Sequence, residues 1–216
     1  MIDYQPGDIL LVPDEGSFSV VSVLQGMTRL NPVILHSTWQ GSIYSNHAAI
    51  AIGTGKKYNS TELNVNQVAH ATGKGGLCRG SVASYGGAML VFRLTGSSWA
   101  GKAAHDVALA WTDGPSTGTY NTAKAANPAF HSSSYGSGAR ERARHYHLHR
   151  KTRGGPPGIK HEKKSMFCSM FAIAAYQAAL GEGLSETYMA LDAKNTSPMK
   201  LQDYLKTNGF WSQITA

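Results

Sequence analysis

The chain is poor in cysteine, in acidic residues and in long apolar runs. Two cysteines, Cys78 and Cys168, stand among 216 residues. One possible pair is no disulfide framework, so the fold has to rest on a hydrophobic core. A bridge between the two would also consume any thiol with chemistry to do. Thirteen acidic residues face 20 Lys and Arg, which leaves a formal net charge of +7. Such a surface suits a polyanion (nucleic acid, anionic lipid or cell-wall polymer) and does not choose among them. No apolar run reaches the roughly 18 residues that a membrane-spanning helix needs. The opening stretch, MIDYQPGDILLVPDEG, lacks the basic segment and cleavage site of a signal peptide. Synthesis in the cytoplasm without a general-secretion address is therefore expected. There is no internal repeat and no heptad pattern. The glycine-lysine stretches at 53–57 and 73–76 lack phosphate-loop spacing, and no nucleic-acid recognition motif is present.

What is there describes a globular chain. Hydrophobic residues make up 42%, enough for one domain with its own core, and 24 glycines imply many turns. PGDILLVP at 6–13 reads as a short buried strand between prolines. Residues 17–30 carry Phe18, Val21, Leu24 and Met27 at helical spacing. The clearest strand is NHAAIAIG at 46–53. Alternation puts His47, Ala49 and Ala51 on one face and Ala48, Ile50 and Ile52 on the other. Residues 65–72, VNQVAHAT, return as a second strand with His70, which GKGG at 73–76 breaks. Residues 88–94 form a third strand and 97–112 a helix. Residues 113–165 are rich in Gly, Ser, His and basic side chains. They read as a long loop or insertion that ends in the basic run 139–164. A small-residue apolar helix follows at 166–180, then a short one at 198–207 and an aromatic tail with Phe210 and Trp211. Strands first and helices later make an α+β class, with residues 1–216 as a single domain.

Three residues suggest chemistry. Ser165 is a candidate N-cap that would put Cys168 at the third position of its helix, where the dipole and open N–H groups favour a thiolate. The bland alternative is a buried structural cysteine. His47 and His70, on neighbouring strands, could face each other at hydrogen-bonding range. A thiolate, a histidine that takes and returns the proton, and a polar group that fixes the imidazole are what nucleophilic catalysis on an amide requires.

The segment HAAIAIGTGKKYNSTELNVNQVAHATGKGGLCRGSV, with FCSMF late in the chain, resembles the NlpC/P60 family. The strand that opens with His and ends in Gly, and the second strand with a polar residue before a glycine turn, follow that pattern. The late position of the cysteine helix, and Pro6-Gly7-Asp8 at the first strand, resemble its circularly permuted, YaeF/YiiX-like branch. The resemblance implies a papain-like antiparallel sheet packed against helices, with the nucleophile helix late. It implies Cys168 as nucleophile, His47 as general base and His70 as the orienting group. Tyr120, Asn46 and Ser169 become substrate-lining candidates, with no metal and no cofactor.

The function so implied is a cysteine amidase or endopeptidase acting on peptidoglycan stem peptides. Without a signal peptide, such an enzyme resembles effectors of type VI secretion delivered to a target cell's periplasm. A cognate immunity protein and a secretion-machinery partner would then exist, and the enzyme would work as a monomer, with no specific nucleic-acid partner. A thioesterase, lipid acyl-hydrolase or acyltransferase on the same fold, a protein-directed deamidase or protease toxin, and a basic binding module with an inert cysteine remain alternatives. His145, His147 and His149 would share one face if extended and could hold Zn²⁺. Their basic setting without carboxylates favours a solvated loop or a polyanion contact. The basic residues from Arg140 to Lys164 are a candidate docking patch for an anionic polymer.

Overall fold

The computed structural model describes residues 4–13, 45–53, 68–72, 76–82, 89–113, 131–158, 165–181 and 188–214. Six strands, β1 (Ile9–Pro13), β2 (Ser45–Ala51), β3 (Val68–Thr72), β4 (Gly76–Gly80), β5 (Leu90–Leu94) and β6 (Trp211–Ile214), form one sheet in the order β4-β3-β2-β1-β5-β6. Every neighbouring pair is antiparallel. Four α-helices accompany it among the described residues: α1 (Ser98–Thr112), α2 (Ser137–Leu148), α3 (Cys168–Leu180) and α4 (Pro198–Thr207). The architecture is α+β, as the order of patterns implies.

The alternation read in the sequence decides the two faces. Ile9, Leu11, Ala48, Ile50, Ala69, Ala71, Phe92 and Leu94 share one buried cluster with residues of all four helices. Leu10, Ala49, Ala51, Val68 and Val91 form a second cluster with Tyr4 and Val82. Period-two spacing in each strand separates these sets to opposite sides. The helices thus cover a single face.

α3 is apolar all round, and every residue in it except Ala179 is buried. A helix of that character has to lie in the middle of a core. Its alanines let it sit close to β2 and β3. Its direction follows from its bonds. The Tyr176 hydroxyl donates to the Gly7 carbonyl, and the Gly7 N–H is bonded to Ala51, the last residue of β2. At the other end, the Ser169 hydroxyl donates to Thr196, just before α4. α4 in turn holds the first residue of β2, because Gln202 Oε1 accepts from the Ser45 N–H and hydroxyl at 3.0 and 2.8 Å. α3 therefore runs alongside β2 in the same sense. Eight residues of helix span about 12 Å, and the four from Ala51 back to His47 about 13 Å. The N-terminus of α3 therefore lies toward the Ser45 end of β2.

Three expectations need correction. GKGG ends β3 at Thr72 as expected, but its last residue, Gly76, opens an additional strand, β4, which pairs with β3 from Thr72–Gly76 to Val68–Gly80. The stretch has one aliphatic side chain, Leu77, so strand periodicity could not show it. The supposed loop 113–165 contains the 12-residue helix α2. Its buried face is only Ala139, Ala143 and Tyr146, too slight an apolar stripe to stand out among arginines and histidines. Trp111, Tyr146 and Phe171 pack edge to face and fasten this helix to α1 and α3. The aromatic tail is β6, joined to β5 from Val91–Ile214 to Leu94–Trp211. The helix expected at 17–30 lies outside the described residues. Among the described residues no helix is long and apolar enough to cross a membrane.

Candidate active site

His47 and His70 meet. β2 and β3 pair with Ala49 opposite His70, which sets His47 one same-face step away on the diagonal. The His47 Nε2 and His70 Nδ1 atoms lie 3.0 Å apart, and the rings stand edge to face with centroids at 5.2 Å. Both rings are held neutral. Burial, and secondarily the neighbouring His70, depresses His47 from 6.5 to about 3. Burial depresses His70 from 6.5 to about 4. A neutral pair shares one proton along the contact. When His47 Nε2–H donates to His70 Nδ1, the Nδ1 of His47 carries its lone pair and can accept a proton. The opposite tautomer would spoil that base. The contact accommodates either arrangement, and only the first leaves Nδ1 of His47 basic.

Cys168 is the first residue of α3, after an N-cap at Phe167 in extended conformation. This corrects the expected cap at Ser165 and moves the thiol from the third helical position to the first. No disulfide joins Cys78 and Cys168. Cys168 is 3% exposed and lies in the helix-side cluster with Ala48, Ile50, Ala69 and Ala71. Alternation assigns His47 and His70 to the opposite side, with Ala49, Ala51 and Val68. So the structure joins the two imidazoles directly. It sets the thiol at the same end of β2, on the helix side.

Of the substrate-lining candidates, Ser169 is corrected. Its side chain is fully buried and its hydroxyl is committed to the Thr196 carbonyl at 2.7 Å. It fastens α3 to the segment before α4. Asn46 lies in β2, with its side chain outside the described positions, and Tyr120 falls outside the described residues altogether.

The histidine run behaves differently from an extended tract. In helical geometry, His145 and His149 fall one turn apart and their rings approach to 4.6 Å, while His147 points elsewhere. Its Nδ1–H donates to the Ala178 carbonyl at 2.7 Å and helps hold α2 on α3. His145 Nε2–H donates to the Pro157 carbonyl at 2.7 Å. Among the described residues no three His, Cys, Asp or Glu side chains gather as a metal site. Part of the basic run is structural too: Arg142 pairs with the buried Asp192 at 2.7 Å, and Arg153 with Asp113 at 3.0 Å. Arg140 and Arg144 remain on the exposed side of α2.

Sequence reasoning passed over Asp8 and Arg93 as a pair, although the Gly-Asp step was noticed. Asp8 is 3% exposed and takes three bonds from Arg93, at 3.0, 3.3 and 2.7 Å. It also accepts from the Gln5 N–H at 2.8 Å. This ion pair ties β1 to β5 and gives the Gly-Asp step a structural purpose. No sequence signal joins residues so far apart. Comparison of the chain with protein-family models, with curated proteins and with solved structures returned no match.

Proposed function

We propose that this protein is a papain-like cysteine hydrolase of the permuted NlpC/P60 kind, and that it cleaves peptide bonds in the stem peptides of peptidoglycan. The observation that carries the reading is the His47–His70 pair. With the shared proton on His47 Nε2, Nδ1 of His47 would be the basic nitrogen, toward the end of β2 where α3 begins with a cysteine. The reading requires the Cys168 thiol, which lies on the other side of the sheet from the imidazoles, to reach His47 at the sheet's margin and give up its proton there. The thiolate attacks the amide carbon, and its negative charge is favoured by the helix N-terminus. N–H groups of the first helical turn stabilise the oxyanion. His47 then returns the proton to the leaving amine, and water hydrolyses the thioester to free the carboxylate and the thiol. His70 accepts from His47 Nε2–H on this reading and fixes the orientation of the His47 ring. The net charge of +7 suits a polyanionic wall as substrate.

Mass spectrometry of purified muropeptides, incubated with the protein and with Cys168→Ala, tests this. New stem-peptide fragments with the native chain alone support it, and fragments from both or from neither reject it. Delivery to a target periplasm belongs to the same proposal. Protein directed to the periplasm should lyse the cell, and Cys168→Ala should not.

A second reading has its own support in the burial of Cys168 on the helix side of the sheet. A thiol packed there and remote from the imidazoles would make the protein a basic binding module. Thiol-reactive labelling separates the two. A nucleophile labels faster than Cys78, and an inert core cysteine labels more slowly.

A further inference from the structure

We infer that Gly80 is a positioning residue: its missing side chain provides the space in which the His70 ring lies while it faces His47. The observation is steric. A Cβ built on Gly80 would stand 2.9 Å from His70 Nε2 and 3.2 Å from His70 Cε1, with Val68 Cγ2 at 3.7 Å. The first distance is shorter than carbon and nitrogen tolerate without bonding.

The register explains why the ring is there. The cross-strand partner of His70 on β4 is Cys78, and Gly80 is opposite Val68. Cys78 and Gly80 are successive same-face positions, so His70 has a choice of two neighbours to lie against. Cys78 turns away from it, with its sulfur 3.6 Å from Thr72 Oγ1. The His70 ring leans the other way, over Gly80. From that pose its Nδ1 edge meets His47 Nε2 at 3.0 Å. The ring is buried, with 7% exposure, and is held between strands on both sides.

Backbone conformation gives no reason for a glycine here. The described glycines with positive φ are Gly7, Gly76, Gly154, Gly155 and Gly181, and Gly80 is not one of them. Inside a strand, glycine costs about 0.5–1 kcal/mol relative to alanine. An alanine would therefore be expected to stabilise β4 if the His70 ring were not in the way. The glycine is explained by what lies above it.

Gly80 acts through His70 on His47, so the inference rests on the proposed hydrolase reading only for its kinetic consequence. The test has two arms. In the first, nitrogen-15 spectra of the imidazoles report the His47–His70 contact in the native chain, in Gly80→Ala and in Gly209→Ala. The last is a control, because a Cβ at Gly209 meets nothing within 4 Å. Gly80→Ala should shift the His47 Nε2 and His70 Nδ1 signals toward those of separated imidazoles, and Gly209→Ala should leave them in place. In the second, Gly80→Ala should lower kcat on muropeptides about ten- to a hundredfold with KM little changed, the range for a misplaced catalytic group. In a His70→Asn background, where the shorter side chain clears the Cβ, adding Gly80→Ala should cost nothing further.

A folded Gly80→Ala protein with native imidazole signals would overturn the inference. So would an equal loss from Gly80→Ala with His70 or Asn at position 70. If Gly80→Ala alone fails to fold, recovery of folding in the His70→Asn background supports the steric account, and failure there too refutes it. A native chain without hydrolase activity would sink the proposed function and leave the spectroscopic arm to decide the role of Gly80.

Discussion

His47 works under a constraint that its surroundings impose. It is held neutral to about pH 3 by burial and by the ring beside it. A general base acts only while it is unprotonated. An ordinary histidine would lose that capacity below about pH 6.5. On the proposed hydrolase reading the acid limb of kcat/KM is therefore expected well below pH 5. A rate profile that falls away near pH 6.5 would show that a different group is the base. The residue scale is also where the sequence was most informative. Two histidines on adjacent strands were readable because each stood in an alternating apolar run. Their meeting was legible because antiparallel neighbours face each other. The pose of the His70 ring was not, since it depends on which of two positions on β4 is empty.

At the scale of elements, β1 and α3 fix the frame in which the site stands. Gly7 has φ 95°, and a Cβ there would fall onto the Gly101 carbonyl of α1. Its own carbonyl accepts from Tyr176 of α3. One residue thus brings a strand and two helices into close approach, and no side chain fits. Gly7→Ala is expected to destabilise the protein by about 3 kcal/mol, from left-handed strain and overpacking together. A urea midpoint unchanged from the native chain would refute this. The Asp8–Arg93 pair beside it is buried on the Asp8 side, at 4% side-chain exposure. Removing one partner of such a pair strands a charge, so Asp8→Ala should cost about 3–5 kcal/mol. Equilibrium unfolding of the variant measures that directly. α3 could be read from its small apolar residues. Its direction along β2 could not, because Gly7, Thr196 and Gln202 set it from distant parts of the chain.

For the whole molecule, the two neutral histidines predict how stability varies with pH. In the unfolded chain both take up a proton near pH 6.5, whereas in the folded chain they resist until about 4 and about 3. Between those limits the unfolded state binds more protons. The contribution is therefore intact above pH 6.5 and is lost as the pH falls through 6 toward 4. The slope approaches about 1.4 kcal/mol per pH unit for each proton. Urea titrations at pH 7, 6, 5 and 4 should show this fall. A variant with His47→Gln and His70→Asn should show a shallower one. An equal slope in both would place the histidines in water. The net charge of +7 acts at this scale as well. On the proposed reading, binding to isolated cell wall should weaken as salt rises, because screened charges attract less.

Periodicity and composition alone settled the class of the fold, the strands that carry His47 and His70, and the central apolar helix that carries Cys168. Those features are local: alternation marks a half-buried strand, and a run of small apolar residues marks a buried helix. Only the tertiary structure decided that β4 and β6 extend the sheet, that α2 stands within the basic stretch, and that Ser169 is a fastener inside the core. The physical reason is that these elements have little apolar signal of their own. They are stabilised by partners that folding brings to them: β3 for β4, β5 for β6, and Trp111, Phe171 and Asp192 for α2.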